Sequence, residues 1–86
     1  MNVQDFQVNG NQVARSLEGK YKIPPVEILF TASSPKDKTQ IVIEVQVIAQ
    51  QTRREKRFKR VVPRHNPGIN LERFIAQCVH KFLRAA

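Results

Sequence analysis

TQIVIEVQVIAQ, residues 39–50, decides the fold of this chain. Ile41, Ile43, Val45, Val47 and Ala49 recur at every second position, and in a strand that unbroken apolar row occupies one face. Gln40, Glu44 and Gln46 take the opposite face, with Val42 and Ile48 among them. One face buried and the other at least half wet is the habit of an antiparallel sheet. The apolar row then needs a cover.

The cover lies at the far end of the sequence. Leu71, Phe74, Ile75, Cys78, Val79, Phe82 and Leu83 follow the spacing of one helical face, while Glu72, Arg73, Gln77, Lys81 and Arg84 take the other. Asn70 is placed to cap this helix, and Glu72 lies in the first turn, where the helix dipole favours it. Ile69 and Phe74 have the spacing of a hydrophobic staple. A helix over residues 70–85 against the odd-numbered face of residues 39–50 buries both surfaces at once.

Between them, Asn66-Pro67-Gly68 is a turn, and residues 53–64 read as a third strand. Phe58 and Val62 there share a face with Lys56 and Arg60. A helix would instead gather Phe58, Val61 and Val62 in a short stripe. The β-branched pair, the following Pro63 and the strand before it favour a meander. Upstream, residues 26–32 read as a strand with Val26, Ile28 and Phe30 on one face, and residues 33–38 form a polar loop. Pro24-Pro25 forbids a helix there.

Residues 1–22 are weakly patterned. Val3, Phe6 and Val8 suggest a short strand ending at the turn signal Asn9-Gly10. Asn11 then caps a short helix over residues 12–18, with Val13, Ala14 and Leu17 inward and Gly19 ending it; a hairpin through Asn9-Gly10 competes. The expected fold is α+β. A three-stranded antiparallel sheet (residues 23–63) packs on a C-terminal amphipathic helix, with a short N-terminal helix or hairpin. At 86 residues this is a single small domain spanning 1–86.

Charge narrows the function. Lys and Arg number 15 against seven Asp and Glu, a net charge of +8. Arg53, Arg54, Lys56, Arg57, Lys59, Arg60 and Arg64 stand against Glu55 alone, so residues 53–64 hold +6 of that total. Phosphate is the common ligand that rewards such clustering, through guanidinium forks and counterion release. As a strand, the segment projects Arg57 and Lys59 from one face and Lys56 and Arg60 from the other. Lys36 and Lys38, in the preceding loop, extend the track. A solvated face, an acidic protein surface, anionic lipid and a nuclear-import signal are the competing uses of such a run. Phe74 and Phe82 belong to the helix stripe and Phe30 to a strand face, which leaves Phe58, Tyr21 and Phe6; Phe58, inside the basic run, reads first as an anchor of the third strand and second as a ring for stacking. Few rings remain to stack on bases, which favours contact with a duplex backbone over single strands.

Catalysis finds no support. No nucleophile is paired with an oriented base, nothing marks Glu27 and Glu44 as an acid–base pair, and the three glycines form no phosphate loop. His65 and His80 are too few for a metal site, and Cys78 and His80 would point about 200° apart on a helix. No catalytic residue, metal ligand or cofactor is expected. The single cysteine cannot form an internal disulfide, which fits a reducing compartment: the cytoplasm, or the nucleus if the source is eukaryotic or viral. No run approaches the ~18–20 apolar residues of a membrane span, and the first ten residues lack the pattern of a secretory signal.

The order helix, strand, strand, strand, helix is similar to that of the double-stranded-RNA-binding domain. That resemblance implies three antiparallel strands packed on two helices. The family's lysine cluster at the start of its last helix is replaced here by Asn70, Leu71, Glu72 and Arg73, so its RNA contacts do not carry over. The strand–strand–strand–helix portion also resembles the small arm-binding domains of phage integrases, whose sheet lies in the DNA major groove. The leading expectation is a protein that binds nucleic acid, DNA or RNA, by its phosphates and with little base specificity. The alternative is a small interaction or assembly subunit, a homodimer through the sheet, whose basic face binds an acidic partner.

Overall fold

Ile41, Ile43, Val45 and Val47 are wholly inaccessible to solvent, each at 0% exposure, and the rest of the molecule is arranged to keep them so. A computed structural model describes residues 2–22 and 25–85. Its elements run α1 (Val3–Glu18), β1 (Val26–Ser33), β2 (Gln40–Ala49), β3 (Glu55–Pro63) and α2 (Leu71–Arg84). The three strands form one antiparallel sheet in the order β1-β2-β3. The α+β expectation holds, with β2 at the centre.

Both helices cover the same face. α2 contributes Ile75, Cys78, Val79 and Phe82 to the core, and β1 adds Val26, Ile28 and Phe30 from the same side of the sheet as the odd row of β2. Burying each such side chain stabilises the fold by roughly 1.5–3 kcal/mol relative to exposure. Asn70 caps α2 as its position suggests, its side-chain oxygen accepting from the Arg73 N–H at 3.0 Å. Residues 26–32 and 39–50 are strands to within a residue at each end. The third strand is real, and Lys56, Phe58, Arg60 and Val62 share its helix-facing side opposite Val47, Val45, Ile43 and Ile41. The start expected for the sheet at residue 23, including Pro24, lies outside the described residues.

Residues 12–18 are helical with Ala14 and Leu17 buried and Gly19 at the end, as expected, but the first half of the N-terminal segment differs from expectation. Val3, Phe6 and Val8 are not in a strand, and Asn9-Gly10 is not a turn; all lie within α1, a continuous helix of 16 residues. The cap is Asn2, whose side chain accepts from the Gln4 N–H at 2.7 Å, and Asn11 is an interior residue. The buried residues Phe6, Gly10, Ala14 and Leu17 trace one helical stripe. Gly10 has no side chain to register as hydrophobic, which hides the periodicity. The missing side chain has a cause: a Cβ on Gly10 would lie 2.1 Å from the Phe30 ring. Gly10 is therefore the point at which α1 crosses β1, and the glycine serves proximity rather than a turn.

Gly10→Ala tests this. Alanine favours an exposed helix interior by about 1 kcal/mol. Overpacking against a buried ring costs about 1–3 kcal/mol. The variant is expected to unfold at lower urea than the parent, and combining it with Phe30→Leu should recover part of the loss. A stabilised single variant would show that the helix does not rest on that ring.

Candidate nucleic-acid interface

The two edges of the sheet are treated differently. Along β1, side chains of α1 occupy the free edge: the Gln7 amide donates to the Phe30 carbonyl at 2.7 Å and accepts from the Ala32 N–H at 2.8 Å. Arg15 donates to the Ile28 carbonyl nearby. β3 pairs only with β2, and its other edge is open. Hydrogen bonds from the Ala49 N–H to the Arg54 carbonyl and from the Arg64 N–H to the Thr39 carbonyl, each 2.8 Å, fix the parity of that ladder. Even-numbered residues of β3 bond to β2, so Glu55, Arg57, Lys59 and Val61 turn their backbone groups outward. Pro63 falls in the outward series, where its missing N–H leaves no ladder bond unmade.

The seven cations of residues 53–64 divide by environment. Arg53, Lys56, Arg57, Lys59 and Arg60 are all exposed. None of the five is in a salt bridge; among the described residues the ion pairs are Arg15–Glu18 and Lys20–Glu72. The single acid of the run, Glu55, accepts instead from the Gln46 amide at 3.1 Å. Arg57 and Lys59 stand on the outer face opposite Gln46 and Glu44, while Lys56 and Arg60 stand on the helix face.

Arg54 belongs to the scaffold. It donates to the Phe82 carbonyl at 2.7 Å and the Ala85 carbonyl at 3.3 Å, and its guanidinium lies 4.4 Å from the centre of the Phe82 ring. It thereby satisfies carbonyls that the end of α2 leaves without helical partners, with a positive charge at the negative pole of the helix. Arg64 bonds the Ser34 hydroxyl and ties the end of β3 to the β1–β2 loop. In that loop Lys36 and Lys38 are exposed and flank Asp37. Hydrogen bonds from the Thr39 hydroxyl and then its N–H hold the Asp37 carboxyl below its ordinary range. Because any ordinary aspartate is ionised at neutral pH, the loop adds one net positive charge rather than two.

Arg53 has a left-handed backbone, φ 58°, at the close of the β2–β3 turn, where its N–H reaches the Ala49 carbonyl at 2.8 Å. That conformation costs a non-glycine residue about 1–2 kcal/mol.

Two cations outside the run were not legible as part of a site. Arg73 and Lys81 read as the solvent side of α2, yet with Gln77 they form a row at four-residue spacing that borders β3. The signal that could have found them is the position of that row beside Phe74. α2 runs antiparallel to β3, with Phe74 near Arg60 and Phe82 near Arg54. Phe58 does pack against the core, as expected of an anchor, but it and Phe74 are only half-buried. Beneath them Cys78 is buried, and desolvation, partly opposed by the charge of Lys81, pushes its thiol up to about 11. It stays protonated and unreactive at neutral pH.

Compared with known proteins, the sequence matches no family model and no curated protein, and the fold matches no solved structure.

The division of the cations has measurable consequences. Arg54→Ala is expected to lower unfolding free energy by about 1–2 kcal/mol through its lost carbonyl bonds. Arg57→Ala should stay within about 0.5 kcal/mol of the parent. Arg53→Gly should raise stability by about 1 kcal/mol while removing a cation. Urea denaturation of the three variants checks all of these together, and equal effects at Arg54 and Arg57 would erase the distinction.

Proposed function

We propose that the protein binds nucleic acid, chiefly by its phosphates, along β3. One observation carries this reading: four exposed cations on both faces of an open edge strand, with Arg53 in the turn that leads into it, have no carboxylate partner among the described residues. A charge run serving solubility alone is better built from both signs interspersed. Here the cations are concentrated instead on one rod-like edge, with Lys36 and Lys38 near one end of it. Guanidinium forks and ammonium groups on such an edge suit a polyanion, through direct bonds and released counterions. No base-reading constellation stands out on the strand itself, so its contribution is to affinity more than to sequence preference.

The expected behaviour is a salt-dependent affinity. With five phosphates engaged, the logarithm of the binding constant should fall against the logarithm of salt with a slope of about −4.5 on duplex DNA and about −3.5 on single strands. Arg57→Glu with Lys59→Glu should weaken binding at least about tenfold, since two contacts become repulsions. Fluorescence anisotropy over a salt series measures both. A slope near zero, or a charge-reversed variant that binds as the parent does, overturns phosphate capture.

A second reading, assembly through the sheet, rests on the outer face, where Val61 is 53% and Leu29 37% exposed and Val42 and Ile48 are half-buried. Pairing two copies along β3 would set its cations against each other, which weighs against that route. Light scattering at about 50 μM is expected to report a monomer. A dimer that Val42→Glu dissociates and Arg57→Ala leaves intact would put assembly first.

A further inference from the structure

Between β3 and α2 runs a groove of about 370 Å³, lined by Phe58, Arg60, Phe74, Gln77 and Lys81 among others. It continues towards the start of α2 past Arg73 and Ile69. No carboxylate lines either stretch. Phe58 and Phe74 are each only half-buried, and both line the groove. The Lys56 ammonium lies 5.4 Å from the centre of the Phe58 ring, and the Arg60 guanidinium 5.7 Å from that of Phe74. Long, flexible cations thus lie over the two rings, rather than packed core.

We propose that this groove takes an unpaired nucleobase of a single strand, stacked on Phe58 and Phe74, with the flanking phosphates held by Arg60, Arg73 and Lys81. The inference rests on the phosphate-binding reading and extends it to a class of nucleic acid. Phosphate capture alone has no use for two half-exposed rings. A planar π-system recovers their apolar surface and can share the ring faces with the cations already there. The Gln77 side chain, exposed and without a hydrogen-bond partner among the described residues, offers one acceptor and an amino group at the groove wall, which suits the edge of a base. A bare acidic peptide would satisfy the cations and leave the rings unused.

The test uses the full chain and three labelled probes of equal length: a single-stranded oligodeoxynucleotide, the same strand with abasic sites throughout, and a duplex. Anisotropy at fixed salt should show the base-bearing strand binding about tenfold or more tighter than the abasic strand. Phe58→Leu, which keeps apolar bulk but loses the π-face, and Gln77→Ala, on an exposed helix position, should each narrow that gap and leave the abasic affinity unchanged. Equal binding of base-bearing and abasic strands by the parent protein overturns the groove proposal while leaving phosphate capture standing. Salt-insensitive or absent binding of all three probes removes both. The comparison of probes on the unaltered protein decides the matter even if Phe58→Leu folds poorly.

Discussion

The odd-numbered side chains of β2 must stay dry, and that requirement shapes everything else. Five aliphatic residues on one face of a central strand cannot be covered by neighbouring strands, which only extend the same face sideways. Two helices are needed above them, and the chain supplies one from each end. Because both helices lie on that side, the other face of the sheet stays uncovered and is necessarily mixed, with Glu44 and Gln46 between Val42 and Ile48. The division into a dry side and a wet side follows from one strand's alternation.

The same arrangement explains why the cations fall where they do. α1 lies over β1 and hands it Gln7 and Arg15 as substitutes for a fourth strand. α2 lies over β2 and reaches β3 chiefly through Arg54, Arg60 and the two half-buried rings. β3 is left as the exposed margin, and an exposed margin is where a dense positive run can exist without being desolvated. Of its side chains only Val62 is buried. The strand needs one apolar anchor and the support of Phe58; its other positions are open to charge.

How far the sequence disclosed this depended on how loudly each residue speaks of burial. β2 and α2 are written in Ile, Val, Leu and Phe at regular spacing, and both were readable almost to the residue. Of α1 only the second half was readable, because its buried stripe passes through Gly10, whose role is closeness rather than hydrophobic bulk, and because Asn9-Gly10 imitates a turn. β3 was obscured by cations on both faces, which blur a period of two. In the site, the cluster itself was plain, but its partition was not. Nothing local to Arg54 reveals that its partners are carbonyls about thirty residues later. Phe74 satisfied the helical period and so read as core, whereas the geometry of an edge leaves it at a groove.

The open margin of β3 also governs how the molecule behaves in concentrated solution. Outward-turned backbone groups are the kind of edge to which another strand can add, and the like charges beside them oppose pairing with a second β3. Repulsion of that kind reaches about 10 Å at 0.1 M salt but only about 3 Å at 1 M. Strong brine therefore weakens that electrostatic guard against self-pairing of β3. A stock held at moderate ionic strength keeps that guard in place.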